Sequence, residues 1–355
     1  MKFPIVLFVS FALVSRSFAQ TLVLPPRSAA AKTGDEFAKS VQSLNLRERE
    51  EKILSEIITG NSPEFLRHLC AVNVTNIVNG KTNLGTFFVT PDYLAVGSDT
   101  DFFLAPMTPF TAQKIADALG CTLPTRKMVN DIFSNAVVKL PPAPIPPTPL
   151  MITVPIFKQH NETVRQQRAG TLKRFPLGAL SVGHKKDVVI SSRLKNSPGK
   201  VAIYGWHRPN GFPIQPLYLG HAASWADYSH GVRLVQKKLI VNGEWKSIEE
   251  VLANPELAAL LSDEGTVSQA KYIFPEFPHA PSAVNSIIAT GTNKVITGQF
   301  VKSPHFNEQT MLLQFDHGVR VVINAPSPEN FIPTKKNEVG FLWLTQREYH
   351  RTNHR

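Results

Sequence analysis

Residues 141–149 read PPAPIPPTP, and this stretch decides how the chain divides. Six of its nine residues are proline, which fixes φ and removes backbone donors, so neither a helix nor a sheet ladder runs through it. Proline-rich segments of this kind form extended connectors. The sequence therefore predicts a linker at 141–150 between an N-terminal domain at 46–140 and a C-terminal domain at 151–345.

The N-terminal domain is predicted to be a small α/β unit. Apolar spacing indicates an amphipathic helix over 46–58, Asn79–Gly80 indicates a hairpin turn, and Thr108–Pro109 indicates the start of another helix. Residues 20–45 are rich in Ala, Ser and Pro and are interpreted as a low-complexity leader.

Cys70 and Cys121 are the two cysteines of the chain. An even count in an exported protein favours a disulfide, which would clamp the N-terminal domain; two buried free thiols are the alternative. With the linker, the fold class is then α+β: a disulfide-clamped α/β domain followed by a mixed domain.

The C-terminal domain changes character along its length. Ser247 and Glu250 have the spacing of a helical capping box. Beyond residue 273, short β-prone runs alternate with Gly, Pro and Asn, which predicts antiparallel β structure before a basic tail at 346–355.

The first nineteen residues have the pattern of a secretory signal. Lys2 is followed by an apolar run over 4–14 that is too short to span a bilayer, and Ser17 and Ala19 flank Phe18 as small residues do at a cleavage site. We expect cleavage after Ala19 and a secreted or periplasmic product. No later run approaches the 18 apolar residues that a membrane helix needs, so no further membrane span is predicted.

The net charge of +11 suggests an attraction to polyanions. Outside a cell these would be extracellular polysaccharide, peptidoglycan or another polyanionic polymer. Because the lysines and arginines form isolated pairs and no run of five, a nucleic-acid partner is disfavoured, and solvated surface charge is the simpler interpretation.

The segment 204–231 concentrates histidine, aromatic and carboxylate side chains, and the island 184–187 (HKKD) adds four more polar residues. The candidate catalytic residues are His184, Asp187, His207, His221, Asp227 and His230. The candidate substrate-binding residues are Tyr204, Trp206, Arg208, Trp225, Tyr228, Lys185 and Lys186. We expect at least three of the imidazole and Asp227 side chains to converge within about 8 Å, the range over which titratable groups share a ligand.

Three kinds of chemistry suit this set. Three His or Asp ligands with one open position would hold a catalytic divalent metal such as zinc. Without metal, Ser224 or Ser229 would be a nucleophile with a histidine as its base and Asp227 orienting that histidine, or Asp227 or Asp187 would be the base and a histidine the acid. The aromatic rings would alternatively stack on sugars without catalysis, or the residues would simply belong to the core. Asp92, Asp99 and Asp101 lack the spacing of a calcium loop and are interpreted as solvated loop carboxylates.

The function predicted from these features is that of a secreted hydrolase acting through a His/Asp cluster on a cell-wall-derived or other extracellular polymer. The alternative is a non-catalytic secreted binding or structural protein with an aromatic-lined polar cleft.

Overall fold

The structure is a computed structural model that describes residues 20–273 in full and the backbone of four strands between residues 287 and 324. It divides into two compact units, with the boundary after Ile273. The predicted signal peptide at 1–19 and the basic tail at 346–355 lie outside the described residues.

The described residues contain six α-helices: α1 Gly34–Val41, α2 Leu46–Ile58, α3 Pro109–Ala118, α4 Arg126–Asn135, α5 Val154–Ala169 and α6 Ile248–Ala253. Short 3-10 turns cover Glu64–Arg67, Pro149–Ile152, Ser192–Asn196 and Ala258–Leu260. The strands of the first unit are β1 Cys70–Val78, β2 Lys81–Val89, β3 Ala95–Gly97, β4 Phe102–Leu104, β5 Cys121–Thr122, β6 Val138–Lys139, β7 Ser181–Val182, β8 Lys186–Val188, β9 Ile203–His207, β10 Pro213–Tyr218, β11 His230–Gly231, β12 Val235–Gln236, β13 Lys238–Val241 and β14 Glu244–Ser247.

Local signals account for several of these elements. Asn45 and Glu48 form a capping box at the start of α2, and Ser247 and Glu250 form the predicted one at α6. Residues 20–45, interpreted as a leader from their composition, contain a helix, because Thr33 and Glu36 form a capping box at the start of α1. The mixed α+β class is confirmed.

The proline-rich segment does not separate two domains. The largest sheet has the order β14-β13-β2-β12-β5, with β1 on the free edge of β2, so strands from both sides of residues 141–150 hydrogen-bond to one another. Tyr228 also exchanges hydrogen bonds between its hydroxyl and the backbone of Ile145 within the segment. Proline content fixes the local conformation of the segment but not which strands pair on either side of it.

The sheet also explains why the predicted disulfide is not found. Cys70 on β1 pairs with Val89, Val89 pairs with Val235, and Val235 pairs with Thr122, the neighbour of Cys121. Three strand spacings separate the two cysteines, roughly 14 Å, whereas a disulfide needs Cα atoms within about 7 Å. Both cysteines are unbonded, and the clamp is not supported.

A smaller sheet carries the candidate site, in the order β10-β9-β8-β11. Its β8 and β11 are parallel, with His230 opposite Lys186 and Gly231 opposite Asp187. A Cβ atom on Gly231 would lie 2.5 Å from Tyr93 Cδ1 and 2.7 Å from Lys185 Cβ, so only glycine admits these two side chains against the strand. Helix α5 is held nearby, because Val164 packs in a buried hydrophobic cluster together with Tyr93 and Leu104.

The second unit contains an antiparallel sheet in chain order: β15 Ile287–Gly291, β16 Lys294–Val301, β17 Thr310–Phe315 and β18 Arg320–Asn324. This agrees with the antiparallel structure predicted from the short β-prone runs beyond residue 273. In the part of the chain that the structure describes, no helix is long and apolar enough to cross a membrane.

Candidate functional site

The HKKD island is largely buried. Residues 186–188 form β8, a strand inside the smaller sheet, and His184, Lys185 and Asp187 are at most 3% exposed. Only Lys186 is half-buried. Burying three ionisable side chains within four residues is costly unless each finds a partner. The partners define two neighbouring groups.

The first group surrounds Tyr93. His184 Nε2 lies 3.0 Å from Asp92 Oδ1, and the Tyr93 hydroxyl donates to Asp187 Oδ2 at 2.9 Å. The Arg233 guanidinium stacks 4.4 Å from the centre of the Tyr93 ring, and its Nε is 3.9 Å from Asp187 Oδ1. Burial raises the pKa of Asp187 to about 7, although Arg233 opposes the shift. These hydrogen bonds and ion pairs hold the β8 residue Asp187 against Tyr93 and Arg233.

Lys185 belongs to the second group. Its ammonium is fully buried and donates to the carbonyl oxygen of Tyr228 at 2.5 Å. Burial lowers the pKa of Lys185 to about 7, while Asp227 and Asp92 oppose the shift. An amine with a pKa near 7 exchanges its proton readily at neutral pH, as acid–base lysines do.

Asp227 sits at a tight turn beside Lys185. Its Oδ1 accepts from the backbone nitrogen of Ser229 at 2.8 Å and from the Ser229 hydroxyl at 2.5 Å. Its Oδ2 accepts from Trp225 Nε1 at 3.2 Å. Burial favours the neutral acid, but His230, Ser229 and Lys186 outweigh it and lower the pKa of Asp227 to about 2. The carboxylate is therefore ionised, and Ser229 is committed to it rather than free as a nucleophile.

His230 is the least satisfied member of this group. It is fully buried, its Nε2 is 3.7 Å from Asp227 Oδ2, and neither ring nitrogen makes a hydrogen bond within the described residues. Burial lowers the pKa of His230 to about 4 against the opposing effect of Asp227. The ring is thus a neutral imidazole at pH 7, and the carboxylate beside Nε2 favours the hydrogen on that nitrogen, which leaves Nδ1 as the acceptor.

Helix α5 brings His160 to the same place. Its ring is fully buried, 5.0 Å from the ring of Tyr228 and 6.4 Å from that of Trp206, between centroids. Burial lowers the pKa of His160 to about 2, with Lys185 and His184 acting in the same direction. Both nitrogens of His160 and the indole nitrogen of Trp206 have no hydrogen-bond partner among residues 20–273. Unsatisfied buried polar atoms are rare in folded proteins, and each needs an explanation.

The side chains that meet here are called the inner cluster: His160, Lys185, Trp206, Asp227, Tyr228 and His230. Three half-buried side chains, called the rim, lie beside it and reach solvent: Lys186, His221 and Trp225. The His221 and Trp225 rings stack at 5.1 Å, and the Trp225 indole bonds Asp227. The rim therefore connects the inner cluster to the surface.

Two predicted site residues lie elsewhere. Tyr204 and His207 both bond Asn130 Oδ1 on α4, at 2.9 and 3.0 Å. Strand alternation would place Tyr204 with Trp206, but Gly205 and Trp206 have φ of 103° and 51° and interrupt it. His207 is thus a satisfied core histidine that stacks on Phe133.

Three further predictions concern Arg208, the metal and a cleft. Arg208 is exposed and lies over Phe212 rather than with the inner cluster. Within the described residues, no three His, Cys, Asp or Glu side chains are grouped so as to hold a metal ion. Two surface cavities of about 500 and 310 Å³ lie at Lys195, Lys237 and Glu249 and at Lys32, Glu56 and Asn61, and no inner-cluster or rim residue lines them.

Sequence inspection missed His160, Tyr93 and Arg233 and placed Asp92 in a solvated loop, whereas Asp92 is only 7% exposed. A signal for His160 does exist. It falls between Phe157 and Val164 on the buried stripe of α5, where an apolar residue is expected. No family model, no curated protein and no solved structure matches the chain significantly, so the geometry alone carries the functional argument.

Proposed function

We propose that the protein is an exported hydrolase that cleaves an extracellular polymer with the inner cluster. One observation carries the proposal: a buried, neutral, unpartnered His230 lies 3.7 Å from ionised Asp227, beside a buried lysine of depressed pKa. Stability alone gives no reason to keep such groups together, because unpaired buried polar groups destabilise a fold. Strongly shifted pKa values cluster at functional sites.

His230 is assigned as the general base. With its pKa lowered to about 4, its ring accepts a proton at neutral pH. The imidazolium formed when it does so is stabilised by the Asp227 carboxylate, which three hydrogen bonds from Ser229 and Trp225 hold in place. A carboxylate that orients and stabilises a histidine is a recurring arrangement in hydrolases.

Lys185 is assigned as the general acid. Its pKa of about 7 leaves much of the amine protonated at and below neutral pH, and its bond to Tyr228 fixes the ammonium. In the proposed step a water oxygen bonds to the electrophilic atom of the polymer and gives its proton to His230. The bond to the leaving group breaks, and the leaving atom takes the proton of Lys185. Solvent then returns the proton from His230 to Lys185, so the net change is addition of water.

A second candidate is recognition without catalysis. Tyr218, His221 and Trp225 form a continuous run of rings at the surface, with centroid separations of 5.2 and 5.1 Å. Such a run suits stacking on sugar rings. It would serve the hydrolase as a substrate platform or act alone in a binding protein.

Lys185→Met separates the two candidates, because methionine keeps the length and removes only the amine. Release of soluble fragments from dye-labelled peptidoglycan and from acidic and neutral polysaccharides is measured. We expect a loss of about 100-fold or more, the usual contribution of a general acid.

Lys127→Met is the matched control, since Lys127 pairs with Asp131 on α4, a helix that also carries the His207 partner Asn130. It should keep full activity. Unchanged fragment release by Lys185→Met would reject Lys185 as the general acid. Polymer binding with no release by the unaltered protein would reject the hydrolase and favour recognition.

A further inference from the structure

The backbone at Trp206 is unusual for a bulky residue. Its φ of 51° lies in the left-handed region, directly after Gly205 at 103°. Large side chains seldom adopt this conformation, and such strain concentrates at ligand-binding positions. The result is that the indole lies against Lys186 and α5 instead of joining Tyr204 at Asn130.

The indole N–H gained no protein partner in this position. Trp206 is 6% exposed, and its Nε1 makes no hydrogen bond within residues 20–273. A buried tryptophan normally satisfies this donor. The neighbouring His160 ring is also unpartnered, and as a neutral imidazole it offers one N–H.

A cation completes the arrangement. The Lys186 ammonium lies 5.1 Å from the centre of the Trp206 ring, and its Nζ makes no hydrogen bond or ion pair in the described part of the chain. Asp227, whose charge acts on Lys186, already accepts hydrogen bonds from Ser229 and Trp225. Lys186 is therefore a half-buried positive charge whose hydrogen-bonding capacity is open.

We infer that Lys186, Trp206 and His160 form a subsite for a carboxylate group of the polymer, such as that of a uronic acid. Lysine and tryptophan only donate, so the matching group must accept hydrogen bonds, and the cation favours a negative one. The two oxygens of a carboxylate match one lysine and one indole donor. This inference rests on the proposed function in taking the bound polymer as the substrate.

Calorimetric titration with a galacturonate trisaccharide, a galactose trisaccharide and inorganic phosphate tests the subsite. The unaltered protein should bind the acidic sugar at least tenfold more tightly than the neutral one. Lys186→Met should abolish that preference, and Trp206→Phe should reduce it. Lys139→Met is the matched control, because Lys139 likewise lies over an aromatic ring, that of Phe133 at 4.5 Å, but away from the inner cluster.

Equal affinity for the two sugars, or an unchanged preference in Lys186→Met, would overturn the carboxylate assignment. Binding of phosphate but not of galacturonate would overturn it in favour of a phosphate group. Polymer cleavage is measured separately from sugar binding. If the unaltered protein cleaves polymer but shows no preference for the acidic sugar, only the subsite is rejected. Preserved preference in an inactive protein rejects only the hydrolase.

Discussion

His207 and His230 lie in one sheet, on strands β9 and β11 with β8 between them, and burial lowers the pKa of both to about 4. His207 bonds Asn130 and stacks on Phe133, whereas His230 has neither nitrogen partnered and stands beside Asp227. A depressed pKa alone therefore does not identify a catalytic histidine. The difference lies in hydrogen bonding. The His207 ring is hydrogen-bonded within the fold, whereas the His230 ring has an acceptor nitrogen available for a reactant.

Replacing each of the two histidines by glutamine tests this difference most directly. His230→Gln should lower polymer cleavage by roughly 100-fold or more, because it removes the general base, whereas His207→Gln should lower it less than about twofold. Initial rates at pH 6 on the cleaved polymer measure the difference. Equal losses in both variants would mean that His230 supports the fold as His207 does.

The pH profile gives the next largest effect. Activity should rise as pH increases through about 4, where His230 loses its proton and becomes a base. It should fall as pH increases through about 7, where Lys185 loses the proton that it donates. Each limb should approach a tenfold change per pH unit.

Two variants separate the limbs of that profile. Lys185→Met should remove the fall above pH 7 from whatever activity remains, and His207→Gln should leave both limbs in place. A profile that is flat between pH 4 and 8 would contradict the assignment of both groups.

Local sequence signals predicted the elements far better than their arrangement. Apolar spacing, caps and prolines located α2 and the starts of α3 and α6 to within about two residues, because these signals act within one helical turn. Helix α5 was missed because Thr153 gives no side-chain cap and Pro155 continues a proline-rich stretch. The pairing of β2 with β12 and β13 depends on contacts between residues about 150 positions apart, which no local pattern encodes.

The site shows the same limit. The density of histidine and aromatic residues drew attention to 184–187 and to Trp225, Asp227 and His230, and Asp227 does contact both Trp225 and His230. It wrongly included His207, because the interruption of alternation at Gly205 and Trp206 is not visible in composition. His160 joins from a helix far along the chain, so only tertiary contacts could place it beside Tyr228.

The smallest expected effect concerns stability, and here the two kinds of histidine should differ in sign. His160 is fully buried with both nitrogens unpartnered, so His160→Leu removes unsatisfied polar atoms at similar volume and should raise the free energy of unfolding by about 1 kcal/mol. His207→Leu deprives Asn130 of a hydrogen bond and should lower it by about 1 kcal/mol. Urea unfolding at pH 7 measures both free energies. The dependence of the free energy of unfolding on urea concentration must be the same in the two variants for their transition midpoints to be compared. A stabilised His160→Leu that has also lost its preference for the acidic trisaccharide would show that the fold carries unpaired nitrogens at this position for the sake of the ligand. If His160→Leu were instead as destabilising as His207→Leu, His160 would be an ordinary core residue. The proposed difference between hydrogen-bonded and unpartnered histidines would then not hold for His160.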